Sequence, residues 1–194
     1  MNYKDFITDE QKDKIENFPL EKRWNEFKNY RFNIDVWNKF WTEIYEGTEE
    51  DTILDFGSGP AWDCFVAKKL GYESFYNLDI DSEEVRRVFG RYHDALEVDV
   101  KFWDGKKMPF EDNTFDTIVA KASISKLRQT EWDVVLSELA RVCKKGATWY
   151  ISPPYMVARI PKHNLVQEKE IVFQSWDWNR GDKRNWGPGK GHTK

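Results

Sequence analysis

The feature that most restricts the fold is a regular alternation between residues 52 and 152, where short apolar segments take turns with longer segments of helical spacing. The apolar segments are predicted strands and the longer ones predicted helices. Strands are predicted near 52–55, 74–79, 97–102, 115–121 and 147–152, and helices near 61–70, 82–92 and 130–144. Strict alternation predicts an α/β fold, a mostly parallel sheet with helices on both faces.

The N-terminal part of the chain departs from this pattern. Residues 1–50 are rich in charged and aromatic side chains, and the large apolar residues near the end of this segment recur at helical spacing: Trp37, Phe40, Trp41 and Ile44. Such spacing predicts an amphipathic helix. We therefore expect residues 1–50 to form a helical extension, which either packs against the sheet or acts as a lid.

The C-terminal part is also less regular. Gly146 is the predicted stop of the last helix, and one further strand is predicted near 170–176. The sheet domain would thus cover residues 51–176, and the polar residues 177–194 would form a mobile tail. A seventh strand could be hidden only within 184–190, so we expect six or seven strands.

Composition excludes several classes of protein. A chain of 194 residues suits one domain, and its formal net charge of -4 gives no overall attraction to nucleic acid or anionic membranes. Two distant cysteines, Cys64 and Cys143, provide neither a disulfide framework nor metal-ligand spacing. The acidic start is unlike a signal peptide, and no apolar stretch approaches membrane-spanning length. We expect a cytoplasmic protein without a metal.

The loop after the first predicted strand is the first candidate for a site, because open α/β sheets bind ligands beyond the carboxyl ends of their strands. It reads DFGSGPAW, with Gly57 and Gly59 allowing a tight turn and close approach of a ligand. A dinucleotide fingerprint would need glycine where Trp62 stands, and a P-loop would need Gly-Lys followed by Ser or Thr. The remaining candidate is a ligand with a ribose but without phosphates.

Two further strand ends carry polar residues that suit such a ligand. Asp79 ends the second predicted strand, where a carboxylate can accept both ribose hydroxyls, while Asp81 or Ser82 is available to cap the next helix. After the third strand, Asp104 can accept from an exocyclic amine, and Trp103 or Met108 can cover an adenine face.

These motifs, in this order and spacing, resemble the class I S-adenosylmethionine-dependent methyltransferases, in the subgroup that includes the quinone-biosynthesis enzymes. The resemblance covers about residues 52–154 and rests on four stretches: ILDFGSGPA, LDID, WDGKKMPFEDNTFDTIVA and LSELARVCKKGATWYISPP. It implies a Rossmann-like fold and methyl transfer, with S-adenosylmethionine as cofactor and S-adenosylhomocysteine as product. The chain departs from the family pattern at Ala61, where many members have a third glycine.

The resemblance also implies site residues. The glycine turn would hold the methionine part of the cofactor, the end of the second strand the ribose, and the loop after the third strand the adenine, while the segment after the fourth strand would border the methyl group. The implied cofactor-binding residues are Asp55, Gly57, Ser58, Gly59, Asp79, Ile80, Asp104, Gly105 and Lys121.

Methyl transfer from a sulfonium needs donor and acceptor held in line and no fixed catalytic motif. If the acceptor is weakly acidic, a base helps, and His163 and Tyr155 are the candidates after the fifth strand. Aromatic residues of the N-terminal extension could contact the positive sulfur or serve as the lid: Tyr30, Trp37 and Trp41. His93, in the second predicted helix, is expected at the surface.

The acceptor and the oligomeric state carry no readable motif. A small-molecule acceptor is the first hypothesis. Nucleic acid is the alternative, because SPPY at 152–155 is similar to a base-holding motif of amino-methyltransferases and the tail WDWNRGDKRNW mixes Trp with basic residues. A second alternative is a catalytically silent module that binds the cofactor and acts through a partner.

Overall fold

The computed structural model describes residues 8–16, 39–121, 123–124, 127–152, 172–177 and 182–186, the last two ranges as backbone. Four α-helices are present in these ranges: α1 Asp9–Glu16, α2 Trp62–Lys69, α3 Glu83–Leu96 and α4 Trp132–Val142. The seven strands are β1 Ile53–Phe56, β2 Phe75–Ile80, β3 Lys101–Trp103, β4 Phe115–Lys121, β5 Cys143–Ser152, β6 Val172–Asp177 and β7 Asp182–Trp186. A short π-helical turn, Phe40–Ile44, precedes β1, and a 3-10 turn, Gln129–Glu131, precedes α4.

All seven strands form one sheet in the order β3-β2-β1-β4-β5-β6-β7. Strands β1 to β5 are parallel to one another, β6 is parallel to β5, and β7 runs antiparallel to β6. The strand order reverses direction at β1, between β2 and β4. A crevice forms at such a switch point outside the carboxyl ends of the strands.

Side chains on the two faces of the sheet form separate cores, as expected for a sheet covered by helices on both sides. Along β1, Ile53 packs with α2, α3 and the π-helical turn, whereas Leu54 and Phe56 pack with α4. Alternation along β1 therefore directs Asp55 towards the face that carries α2. The α/β prediction, with helices on both faces of a mostly parallel sheet, is confirmed.

Three predicted boundaries need correction. The third strand begins at Lys101, later than the predicted start at 97, because α3 continues to Leu96 and ends at Glu97 in the left-handed conformation. Helix α4 ends at Val142, so Gly146 lies inside the long strand β5 rather than at a helix end. The seventh strand begins at Asp182, before the predicted segment 184–190, and it lies within the segment predicted to be a mobile tail.

The N-terminal extension can be followed in two pieces. Helix α1 contacts α3, and the π-helical turn buries Phe40, Trp41 and Ile44. The helical spacing of these three residues is thus explained by packing against the sheet domain. None of the helices in the described part of the chain is long and apolar enough to cross a membrane.

Candidate functional site

The turn between β1 and α2 has a backbone that favours glycine. Gly57 and Gly59 have φ values of 71° and 51°, which residues with a Cβ adopt only at a cost in free energy. A Cβ added at Gly57 would collide with the Cβ of Ser123, just beyond β4. The N–H groups of Gly57 and Ser58 donate to the carbonyl of Leu78 at 2.8 and 3.2 Å. The turn is therefore held between the ends of β2 and β4.

Ala61, which stands where many class I methyltransferases have a third glycine, also has a positive φ, of 58°. This conformation costs an L-residue about 1–2 kcal/mol. Ala61 N donates to the Ser58 carbonyl at 2.8 Å, and its side chain is fully buried. The replacement keeps the turn in its glycine-like shape at the expense of local strain.

The carboxylate of Asp79 joins the end of β2 to this turn. Its two oxygens accept from the backbone N–H of Gly59 and from its neighbour Ile80, both at 2.8 Å. Asp79 is 8% exposed. The adjacent polar residues have other tasks, since Ser82 accepts from Val85 N as the N-cap of α3 and Asp81 pairs with Arg86 at 2.7 Å. Of the two predicted caps, Ser82 is the one that caps α3.

His93 contacts the same turn and is not at the surface, where its place in the sequence had predicted it. Its Nε2 lies 2.7 Å from the carbonyl oxygen of Gly59, and the residue is buried. Burial lowers the pKa of the imidazole, so its neutral form is favoured. The helical spacing from Phe89 to His93 could have indicated that His93 points inward. Its hydrogen-bond partner, the carbonyl of Gly59, could not be predicted in this way, because it lies 34 residues away in sequence.

The loop after β3 forms a more exposed part of the candidate site. Asp104 is exposed, and its Oδ1 accepts from Lys106 N at 2.9 Å, which lowers the pKa of the carboxyl. Gly105 has a φ of 81°, and a Cβ there would lie 3.4 Å from the side chain of Ile80. Trp103 and Met108 are buried in the core, so the apolar side chain exposed beside Gly105 is that of Ile80.

Two side chains of α4 fix the far end of this loop. Glu138 accepts from Met108 N at 2.7 Å. Arg141 donates to Glu138 at 2.8 Å, to the carbonyls of Phe110 and Met108, and to Asp112. The hydrogen bond from Arg141 lowers the pKa of the Glu138 carboxyl. The loop is thereby tied to a helix on the opposite face from α2.

A buried charged cluster, Asp55, Asp63 and Lys121, lies where β1, α2 and β4 meet. Lys121 Nζ forms an ion pair with Asp63 and lies 3.8 Å from the ring centre of Phe40. Trp41 Nε1 donates to Asp63 at 3.0 Å. Burial and the charge of Asp63 raise the pKa of Asp55, which Lys121 opposes, while burial lowers the pKa of Lys121 and Asp63 opposes that shift.

Two buried hydroxyls near the turn lack a partner within the described residues. They are Ser58 Oγ, in the turn itself, and Ser123 Oγ, just beyond β4. Buried hydroxyls are normally hydrogen-bonded, and exceptions call for an explanation such as a ligand. Both lie next to Gly57, since the Ser123 side chain occupies the position into which a Gly57 Cβ would project.

The structure brings together the predicted cofactor-binding residues at the ends of β1 and β2. Other predicted site residues lie apart from them or outside the described residues. Asp55, Gly57, Ser58, Gly59 and Asp79 share one turn and the adjoining strand ends. Ile80, Asp104 and Gly105 form the exposed side next to it, and Lys121 faces Asp63. The proposed bases and two candidate lid residues fall outside the described residues: His163, Tyr155, Tyr30 and Trp37.

A family model described as a methyltransferase domain matches residues 54–151, about half of the chain. The chain belongs to this methyltransferase family. It is a class I methyltransferase that depends on S-adenosylmethionine, and S-adenosylmethionine is its cofactor. The match spans β1 to β5 and so includes the turn, the end of β2 and the charged cluster.

Two solved structures are similar to this methyltransferase in fold. The PH0226 protein from Pyrococcus horikoshii is 20% identical with a TM-score of 0.51, and the alignment covers 84% of this chain and 69% of that chain. A SAM-dependent methyltransferase from Aquifex aeolicus is 19% identical with a TM-score of 0.51, with coverage of 87% and 80%. No protein of curated function matches the chain in sequence.

The residues of the turn fit S-adenosylmethionine. A cofactor with an amino group, a carboxylate and ribose hydroxyls needs one carboxylate near its amine, donors near its carboxylate and a second carboxylate near its sugar. Asp55 would supply the first, because a positive ligand would offset the burial that raises its pKa. The hydroxyls of Ser58 and Ser123 and the carboxylate of Asp79 would meet the other two needs.

Proposed function

We propose that this methyltransferase holds S-adenosylmethionine across the carboxyl ends of β1, β2 and β3 and transfers its methyl group to a small molecule. The observation that carries the cofactor position is the hydrogen bond of 2.8 Å between Gly59 N and Asp79. It joins the glycine turn to the acidic end of β2, the two positions that one nucleoside must contact at once. The quinone-biosynthesis subgroup remains a prediction.

The methionine end of the cofactor is proposed to lie against Gly57. Support comes from the two buried hydroxyls without a partner in the described part of the chain, Ser58 and Ser123, which can donate to a carboxylate. Asp55 is buried, with its pKa raised, and would be stabilised in its ionised form by an ammonium group. Because Gly57 has no side chain, a ligand can approach the turn closely.

The ribose and adenine are proposed to lie between Asp79 and Gly105. The two carboxylate oxygens of Asp79 accept the backbone N–H groups of Gly59 and Ile80, and because a carboxylate oxygen can accept more than one hydrogen bond, ribose hydroxyls can share this carboxylate. Ile80, 40% exposed, would cover one face of the adenine, and Asp104 would accept from its amino group. This assignment gives each implied residue a different part of one ligand.

The main contribution of the protein to methyl transfer is to position the donor and the acceptor. The cofactor supplies a methyl group on a positively charged sulfur, and transfer is a direct displacement that depends on alignment with the acceptor atom. The residues of the turn hold the donor still, and the segment beyond Lys121 borders the reacting group. For an acceptor that must lose a proton, we propose Tyr155 or His163 as the base.

A small-molecule acceptor is supported by the charge and size of the chain. The net charge of -4 does not attract a polyanion. We propose that residues 1–50 form the lid over the acceptor, since Phe40 contacts Lys121 at the end of β4 and Trp41 contacts Asp63 in α2. Residues 51–176 would form the catalytic domain, and β7 extends its sheet into the segment 177–194. Two buried thiols, Cys64 and Cys143, suit a cytoplasmic location.

Cofactor placement is tested by a matched pair of substitutions at the end of β2. Asp79→Asn removes the charge that we assign to the ribose, and Asp81→Asn removes an exposed charge two residues away. We expect the first variant to bind S-adenosylhomocysteine about 10–100-fold more weakly, the loss of one or two charge-assisted hydrogen bonds, and the second to bind as the wild type does. Isothermal titration calorimetry measures both, and unchanged affinity of Asp79→Asn would contradict the placement.

The acceptor is tested by labelled transfer. S-adenosylmethionine with an isotopically labelled methyl group is incubated with the protein and, separately, with a small-metabolite extract, with single-stranded DNA and with transfer RNA. Label in the metabolite fraction, with matching release of S-adenosylhomocysteine, supports the proposal. Label confined to nucleic acid would overturn the small-molecule assignment while leaving the cofactor site intact.

A further inference from the structure

His93 approaches the candidate site from behind the glycine turn. Its Nε2 lies 2.7 Å from the carbonyl oxygen of Gly59, and its ring faces Phe102 at a centroid distance of 6.4 Å. A carbonyl oxygen can only accept, so Nε2 must carry the proton in this contact. The hydrogen bond therefore also selects one tautomer of the neutral ring.

Gly59 is held on both sides by side chains. Its N–H donates to Asp79 at 2.8 Å, and its carbonyl accepts from His93. Gly59 has a φ of 51°. Because glycine has the greatest backbone freedom of all residues, an unrestrained glycine would adopt many other conformations besides this one. Two hydrogen bonds from different elements, β2 and α3, limit that freedom at the point where the turn faces the ligand.

We propose that His93 is a positioning residue for the cofactor, which holds Gly59 so that the turn and Asp79 are arranged for the ribose before binding. The proposal rests on the cofactor placement given above. Ordering a glycine in advance removes an entropic cost that binding would otherwise carry. His93 itself touches no part of the cofactor in this arrangement and acts only through the Gly59 backbone.

Two substitutions separate the hydrogen bond from the packing of the ring. His93→Phe keeps a ring of similar size and removes the donor, and His93→Gln keeps an N–H at nearly the position of Nε2. By calorimetry with S-adenosylhomocysteine we expect about tenfold weaker binding for His93→Phe, the effect of about 1.4 kcal/mol. His93→Gln should recover most of the affinity. Adenosine alone should show the same order of affinities, because the restraint acts at the ribose.

A control variant separates positioning from general stability. Leu96→Ala removes a buried side chain of the same helix and leaves Gly59 and His93 in place. It should lower the unfolding midpoint and leave the affinity for S-adenosylhomocysteine unchanged. A purely structural role for His93 would instead make affinity follow the unfolding midpoint in all three variants.

Nitrogen-15 spectra of the imidazole test the contact in the wild-type protein. We expect protonated Nε2 before ligand is added and a shift of its signal on addition of S-adenosylhomocysteine. If wild-type protein binds no S-adenosylhomocysteine, the cofactor placement fails. If it binds and His93→Phe binds equally well, the role of His93 is overturned. Should His93→Phe fail to fold, the spectra decide, and a ring protonated at Nδ1 alone overturns the proposal.

Discussion

The two ends of the candidate site are built differently. At the end that we propose for the ribose, here called the ribose end, Asp79 and His93 hold the Gly59 backbone through neutral or singly charged hydrogen bonds. At the end that we propose for the methionine part, the methionine end, Asp55, Asp63 and Lys121 form a buried cluster of three ionisable groups. The first end depends on the shape of the backbone, and the second on the balance of charge.

The difference decides how each end should respond to substitution. At the ribose end, loss of one hydrogen bond changes the backbone geometry of Gly59 and leaves one carbonyl or N–H group to form a hydrogen bond with water instead. Removal of one member of a buried ion pair leaves the other charge without compensation, which costs much more than the pair contributed. Substitutions at the methionine end should therefore affect folding, and those at the ribose end mainly binding.

The largest effect is expected for Lys121→Met. The substitution removes the ammonium that pairs with Asp63 and opposes the raised pKa of Asp55, and we expect the free energy of unfolding to fall by about 3–5 kcal/mol. Urea denaturation at pH 7 measures this. The double variant Lys121→Met/Asp63→Asn should regain much of the lost stability. If the single and double variants are equally unstable, charge balance does not explain the stability of this end of the site.

The same variant has a predicted pH dependence. Burial raises the pKa of Asp55 in the folded state. Ionisation of this carboxyl therefore lowers the stability of the fold as the pH rises above about 3.9, the pKa of an Asp in the unfolded chain. The charge of Lys121 opposes that rise in the pKa of Asp55. The stability deficit of Lys121→Met should shrink as the pH is lowered towards about 4, and a deficit that stays constant would contradict the electrostatic explanation.

Next in size is the difference between Gly57→Ala and Gly59→Ala. Both introduce a Cβ at positive φ, at about 1–2 kcal/mol each. Only the Gly57 substitution collides with Ser123, whereas a Cβ at Gly59 meets the Phe89 ring at an ordinary 3.7 Å. The overlap should cost about 1–3 kcal/mol more. Thermal and urea unfolding of the two proteins test this, and equal stability would show that Ser123 moves aside freely.

A smaller effect is expected for Glu138→Gln, which weakens the anchor of the loop bearing Asp104. Because Arg141 lowers the pKa of Glu138, this carboxyl stabilises the fold above its unfolded pKa of about 4.3 and ceases to do so as the pH falls through its lower folded value. We expect a loss of about 1 kcal/mol at pH 7, and this loss should become smaller as the pH falls below about 4.3. Glu111→Gln, an exposed change in the same loop, is the control; a comparable loss there would contradict the anchor.

The smallest effect is a gain. Gly90 lies inside α3, and a Cβ there would meet nothing within 4 Å. Gly90→Ala should raise the free energy of unfolding by about 0.5–1 kcal/mol. Its affinity for S-adenosylhomocysteine should equal that of the wild type. An altered affinity would mean that flexibility of α3 itself, rather than the His93 contact, governs the ribose end.

The sequence could predict the parts of the site that depend on local pattern. The strand and helix alternation anticipated β1 to β5, and the two glycines identified the turn with positive φ. It could not anticipate that Asp63 would contact Trp41, 22 positions earlier, and Lys121, 58 positions later. Nor did helical periodicity distinguish the buried His93 from an exposed one, because its partner is a backbone carbonyl with no side-chain signal.

By itself, the sequence determined the α/β architecture and the glycine turn, because hydrophobic period and φ preference act within a few neighbouring residues. Only the tertiary structure decided that Asp55 shares a buried cluster with Lys121 and that Gly59 is held between Asp79 and His93. Those contacts depend on which strand ends and helices meet in space. Burial, which sets the strength of charges and hydrogen bonds, is a property of the assembled sheet and not of any single segment.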